Sequence, residues 1–208
     1  MEWFSTLTLA LGSAWTSGIN LYATVTVLGA LQKFGVADLP GGLDVLGNWW
    51  IIGIAAALYI IEFVADKVPY VDSVWDVVHT FIRVPAGAAV AYSATTGDSG
   101  AVNVIATLLG GTLALSSHGT KAALRAGANL SPEPVSNWIL SIVEDIIAFV
   151  GAFLAVFAPV ILAVFLLIFA LFFAWFAPKV FRAIRRIFQA IRAIFTGKSF
   201  REVARRAP

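Results

Sequence analysis

Apolar residues run through this chain in long unbroken blocks rather than in two-residue alternation. Between residues 151 and 177 no ionisable side chain occurs. A helix needs about 20 apolar residues to cross about 30 Å of hydrocarbon. Lipid offers the backbone no hydrogen bonds, so a spanning segment is either a helix or part of a closed barrel. Without alternation the barrel is excluded. The blocks predict six helices, within residues 3–34, 49–66, 72–93, 101–126, 138–157 and 160–177. The last two are divided at Ala158-Pro159, where proline removes a backbone donor. One tilted helix after an interfacial segment is the rival reading of 138–177.

Beyond Pro178 the pattern changes. Phe181, Ile184, Ile187, Phe188, Ile191, Ile194 and Phe195 recur at helical spacing, and Lys179, Arg182, Arg185, Arg186 and Arg192 occupy the other face. Such a helix lies along a membrane surface, its apolar side in lipid and its cations near anionic headgroups. The alternative is the last span running on as a stop-transfer anchor. The chain thus divides into a bundle, 1–178, and a basic tail, 179–208.

Composition strengthens the membrane reading: 60% of the 208 residues are hydrophobic and 12% charged, against about 45–50% and 25% in soluble domains. Cysteine is absent, which excludes disulfides and thiolate chemistry. The opening Met1-Glu2-Trp3 has no basic region, so a cleaved signal is not expected. The net charge of +2 hides a division: five basic residues face eleven acids before position 179, and nine basic residues accompany only Glu202 after it. Cytoplasmic loops and tails carry the excess of Lys and Arg. The tail is therefore expected in the cytoplasm at an inner membrane, and six spans place the N-terminus there too. Lys67, Lys121 and Arg125 then lie at the cytoplasmic end and Lys33 near the outer one.

Two short matches hint at an internal repeat. Thr8-Leu9-Ala10-Leu11-Gly12-Ser13 recurs as Thr112-Leu113-Ala114-Leu115-Ser116-Ser117, and Asn48-Trp49 recurs as Asn137-Trp138, each pair opening an apolar run that ends at proline. Three spans per copy would give the inverted 3+3 plan of many transporters. The expected fold is an all-α polytopic membrane bundle of about six spans, with that repeat and an amphipathic basic helix at its C-terminus.

Ionisable residues inside spans are costly and mark functional sites by default. Glu62 and Asp66 lie one turn apart, and Asp76, His79 and Arg83 share one face of the third helix. His118, Lys121 and Arg125 fall in one sector of the fourth, and Glu144 and Asp145 stand together on the fifth. Of these, Glu62, Asp66, Asp76, His79, Arg83, Lys121, Arg125, Glu144 and Asp145, with Lys67, form the candidate site for an ion or small solute. One reading is a polar vestibule open to the cytoplasm. The other is that they sit near the interface, neutralise one another and snorkel. Asp72, just before a helix, reads as an N-cap. On the first helix Ser13, Thr16, Ser17, Asn20 and Thr24 form a stripe around Gly18. It is either a solute path along a helix broken near Gly18 or a set of helix–helix hydrogen bonds. Gly110-Gly111 reads as tight packing.

Enzyme-like strings fail. Gly97-Asp98-Ser99-Gly100 is a turn far from both histidines, so no triad forms. Gly197-Lys198-Ser199 lacks the earlier glycine of a phosphate loop, Arg192 standing in its place. No cofactor motif and no nucleic-acid motif occurs, and the acids could take a hard cation only unspecifically.

Three stretches carry a resemblance: Gly18-Ile19-Asn20-Leu21-Tyr22; the string from Glu62 through Asp66-Lys67-Val68-Pro69 to Asp72; and Asn129-Leu130-Ser131-Pro132-Glu133-Pro134-Val135-Ser136-Asn137. With Glu144-Asp145 they resemble the bacterial membrane-protein family called domain of unknown function 4126, over about residues 5–160. The resemblance implies membrane location and no particular activity. The expected function is a small transporter or channel-like protein. The alternative is a membrane-organising or lipid-interacting protein. Enzymatic activity is not expected, and the expected partners are lipid, anionic headgroups and an unidentified ion or solute. Self-association into a homo-oligomer stays open.

Overall fold

The computed structural model describes residues 2–68, 70–129 and 135–196, with side chains to position 193. Pro69, residues 130–134 of the proline-rich string, Gly197-Lys198-Ser199 and the Ile194 and Phe195 side chains lie outside the described residues. Six α-helices follow one another: α1 (Glu2–Lys33), α2 (Trp49–Ala65), α3 (Val71–Ala94), α4 (Gly100–Ala128), α5 (Val135–Phe157) and α6 (Pro159–Thr196), with a 3-10 segment Gly41–Gly47 before α2. Among the described residues no strand forms beyond the single bridge Thr96–Asp98.

Gly100–Ala128, Val135–Phe157 and Pro159–Ala193 are long and apolar enough to cross a membrane. The 3-10 segment and α2, bent by 73° at Asn48, make a fourth when taken together. These lengths point to a membrane protein. Two of the six expected spans, α1 and α3, fall outside that set. Their polar residues face each other inside the bundle: Ser13, Thr16, Ser17, Asn20, Thr24, Asp76 and Arg83 are all buried.

Caps set several helix starts. Asn48 accepts from Trp50 N at 2.8 Å to open α2, and Ser99 caps α4 through Val102 N. Asp72 does not play the expected N-cap role. The residue ahead of α3 is Tyr70, held at φ 69°. Asp72 lies inside the first turn, its Oδ1 accepting from Ser73 N at 2.7 Å while the carboxylate also meets residues of another helix.

The largest departure from expectation is α1. At Asn20 the backbone leaves the helix (φ −145°, ψ 99°). Asn20 then caps a second arm, its Oδ1 accepting from Ala23 N at 2.9 Å, the geometry that favours Asn at a helix start. The first arm runs beside α3 and α4: Ala14 meets Gly87 and Gly110, and Ser117 Oγ donates to the Trp15 carbonyl at 2.7 Å. The second arm returns along the same length of α3, where Leu21, Tyr22 and Val25 share a hollow with Ala86, Ala89 and Val90. Both arms also flank one stretch of α5. Thr16 touches Gly151 and Gly12 touches Ala155, while Val27 and Leu31 pack on Ala152. Thus α1 is a hairpin with both ends at one end of the bundle, and Leu9 and Leu39 line one hollow with Ala155 and Val156. The single span expected over 3–34 is corrected: one extended residue, stabilised as a cap, reverses the chain.

Glycine lets these helices approach. A Cβ at Gly18 would stand 2.0 Å from Ser117 Oγ and 2.3 Å from the Ala114 carbonyl, and one at Gly110 would stand 2.4 Å from Ala91 Cβ. The expected packing role holds for Gly110 and is looser at Gly111, where the nearest atom is 3.4 Å away.

The break between the fifth and sixth helices falls at Ala158, as the proline predicted. Beyond it the chain turns back, placing Leu162 against Gly12 and Phe165 edge-on to Trp15 at 4.9 Å. The described residues divide into two compact units between Leu166 and Leu167. In the second unit α6 continues through Pro178, so the basic segment is not a separate helix there. Phe181, Ile184, Ile187, Phe188 and Ile191 are exposed, as are Lys179, Arg182, Arg185, Arg186 and Arg192.

The repeat does not map onto one symmetry. The first arm of α1 and α4 run in the same direction, since Ala14 meets Gly110 and Ile19 meets Lys121. Helices α2 and α5 run in opposite directions, because Asp66 ends α2 near Glu144, in the first half of α5, through their shared contact with Arg125. No single two-fold relates both matches.

Candidate functional site

The charged faces of α2, α3, α4 and α5 converge below the apex of α1. Arg83 lies about 18 Å along α3 from its start at Val71, by helix rise, and its side chain is fully buried. One Nη donates to Glu62 Oε1. The other donates to the carbonyls of Ile19 at 2.8 Å and Gly18 at 3.3 Å, groups that the break at Asn20 deprives of helical partners. Lys121 Nζ reaches the Ile19 carbonyl at 3.2 Å, Glu62 at 3.3 Å and Asp66 at 3.0 Å. Two cations therefore close the negative end of the first arm's dipole. At the start of the second arm, Asn20 Nδ2 donates to Asp145 Oδ1 at 3.0 Å.

Arg125 forms the second centre. Its Nε and an Nη donate to Glu144, and it also reaches Asp66 Oδ2 at 2.9 Å and the Asp66 carbonyl at 2.8 Å. Asp72 lies 3.7 Å from its Nη1 and accepts from Asn129 Nδ2 at 3.1 Å. Asp76 completes the set at 3.8 Å from Arg83 and 3.9 Å from Lys121. Neither of its carboxylate oxygens has a hydrogen-bond partner among the described residues.

The two histidines border this network. His118 Nδ1 lies 3.3 Å from an Arg83 Nη that can only donate, so the ring proton is assigned to Nε2, which faces the Asp76 carbonyl and Thr80 Oγ1. His79 Nδ1 meets the Trp75 carbonyl at 2.8 Å, and Nε2 meets the Tyr22 hydroxyl at 3.0 Å.

Of the sequence-selected residues, Glu62, Asp66, Asp76, Arg83, Lys121, Arg125, Glu144 and Asp145 come together, each 0–7% exposed. The expected open vestibule is corrected to a closed network, and snorkelling to an interface does not describe it either. Lys67 stays at the rim, donating to the Phe63 carbonyl and Ser141 Oγ, and His79 touches the network's edge. Sequence reasoning left out Asp72, His118 and Asn129. A spacing signal existed for His118, three and seven positions from Lys121 and Arg125. None existed for Asn129, which meets Asp72 across 57 residues. Of the two readings of the Ser/Thr stripe, a helix broken near Gly18 and helix–helix hydrogen bonding, the structure has a break, two residues further on at Asn20. Among the described residues no group of three or more His, Asp or Glu side chains has metal-holding geometry.

A family model described as Domain of unknown function (DUF4126) matches residues 7–179, which takes in the apolar part of α6 beyond the stretch that carried the resemblance. No curated protein and no solved structure matches the chain. Covering most of the sequence, the match establishes that this chain belongs to the DUF4126 family.

Proposed function

We propose that this protein is a small multi-pass membrane transporter for an ion or small polar solute, with its site where the broken helix α1 meets the buried charges. The observation that carries this reading is the interruption at Asn20, with Arg83 and Lys121 bound to the freed carbonyls of Gly18 and Ile19. Transporters bind ions and solutes at discontinuous helices near the bilayer midplane, because half-helix ends offer partial charges there. Charges held at such depth need a use that repays their burial.

In this reading α2, α3, α4, α5 and α6 traverse the membrane, and α1 enters and leaves from one side as a re-entrant hairpin. The six-traverse count and the 3+3 plan give way to five traverses plus a hairpin. The end bearing Lys67 faces the cytoplasm of an inner membrane. In this reading the N-terminus lies outside, a side supported by the acids Glu2, Asp38, Asp44 and Asp98 against the single Lys33 at that end. The network as described is then the occluded state, in which the side chains pair with one another.

Purified protein in proteoliposomes on a solid-supported electrode tests the reading. Gradients of monovalent ions and small charged solutes should give charge movement that Lys121→Gln abolishes while the variant stays monodisperse in detergent. Absence of any response from the wild type across the panel overturns it.

A second reading, a lipid-interacting protein, draws on the exposed apolar and basic side chains of α6 from Lys179 onwards. It predicts that removing residues 179–208 abolishes binding to anionic vesicles, with Lys121→Gln without effect.

A further inference from the structure

The buried network does not balance its charges. Six carboxylates (Glu62, Asp66, Asp72, Asp76, Glu144 and Asp145) are 0–7% exposed, and the buried cations are Arg83, Lys121 and Arg125. With every group ionised the sum is 3 − 6 = −3. His118 does not offset this, because its Nδ1 faces the Arg83 guanidinium as an acceptor. A charged His79 would still leave −2.

An excess of this size in a low-dielectric interior is met by a positive ligand or by neutralising an acid. Among the described residues the acids and histidines form no metal-holding group. The carboxylates press directly on the cations, with Glu62 shared by Arg83 and Lys121 and Asp66 shared by Lys121 and Arg125. A ligand without volume fits such packing. Asp76 is where it fits best: 3% exposed, with both carboxylate oxygens lacking hydrogen-bond partners, and lying farther from Arg83 and Lys121 than any other acid paired with them.

We infer that this cluster is a proton-binding site, with Asp76 as the group that takes up the proton. The reaction is simple association: the Asp76 carboxylate plus H⁺ gives the carboxylic acid, and the cluster becomes less negative by one charge. The titratable and charged groups of the cluster around it come from every neighbouring helix. From α2 these are Glu62 and Asp66, and from α3 Arg83, His79 and Asp72. Helix α4 supplies His118, Lys121 and Arg125, and α5 supplies Glu144 and Asp145. The Tyr22 hydroxyl on α1 meets His79. Loading the proton loosens the hold of Asp76 on Arg83 and Lys121, the two cations that secure the broken end of α1. The site thereby couples proton occupancy to the hairpin.

This inference rests on the proposed transport site, and its test does not require transport. Infrared difference spectra of the full-length protein in detergent, collected as the pH is stepped upward from neutral, read protonated carboxyl groups through their C=O stretch and its shift in D₂O. The wild type should show a protonated-carboxyl band that Asp76→Asn removes. Should that variant fail to fold, Asp76→Glu should move the same band. No such band in the wild type at neutral pH, or a band unchanged in Asp76→Asn or Asp76→Glu, overturns the assignment. Loss of the band on adding sodium or potassium chloride at constant pH, with choline chloride inert, overturns it in favour of a metal cation. A proton band without charge movement in proteoliposomes would sink the transport reading and leave the proton site standing. Charge movement without the band would do the reverse.

Discussion

Arg83 donates to the Ile19 carbonyl at 2.8 Å, joining the middle of α3 to the last turn of the first arm of α1. The carbonyl is free because Asn20 abandons the helix one residue later. The same guanidinium also bonds Glu62 on α2. One side chain thus ties three helices together at the depth where the chain reverses. Arginine suits the position, since its planar fork offers several donors in fixed directions.

Removing Arg83 should be severe. Arg83→Ala leaves Glu62 buried beside Lys121 alone, strips the Gly18 carbonyl of its guanidinium donor and leaves the Ile19 carbonyl to Lys121. Losing one partner of a buried ion pair costs about 3–5 kcal/mol. Arg83→Met combined with Glu62→Gln removes both charges and should cost less than Arg83→Ala alone. Urea unfolding in mild detergent micelles checks the order.

Asn20 acts through its cap and through Asp145. Asn20→Ala should cost about 0.5–2 kcal/mol for the lost cap and reduce charge movement. Asn20→Asp keeps the capping oxygen but sets a carboxylate against Asp145, so it should preserve the fold less well than Asn20→Ser. Thermal unfolding of the three variants, ranked side by side, decides the point.

Helix contacts at glycine give a paired test. Gly18→Ala forces a Cβ to within 2.3 Å of the Ala114 carbonyl. The backbone must then shift, and overpacking of this kind costs about 1–3 kcal/mol. Gly119→Ala, with nothing within 4 Å, should be neutral or stabilise by up to about 1 kcal/mol through helix propensity. Equal effects in a melting series would contradict the packing described.

Much of the site could be read along the chain. Spacings of three and four residues put Asp76, His79 and Arg83 on one face and His118, Lys121 and Arg125 on another, because helix periodicity is local. The proline at 159 marked a break for the same reason. The reversal at Asn20 was harder to read. It occupies one extended residue inside an apolar run, and the Ser/Thr stripe around it serves an unbroken helix equally well. Asp72 was misread because its position before a helix is what a cap requires, whereas its partners, Asn129 and Arg125, are supplied by a distant helix. The first repeat match rested on Leu and Ala, residues common to any membrane helix, and the second on a single Asn-Trp pair. Their directions in space do not share one symmetry.

The hairpin in α1 is the claim on which the site depends, and the absence of cysteine makes it directly measurable. Single cysteines at Trp3, Asp98 and Tyr70, all exposed positions, can be labelled in sealed vesicles with a membrane-impermeant maleimide. The account predicts that Trp3→Cys and Asp98→Cys react from one side and Tyr70→Cys from the other. Trp3→Cys and Tyr70→Cys reacting together, with Asp98→Cys opposite, would mean that α1 crosses the membrane once, and would contradict it.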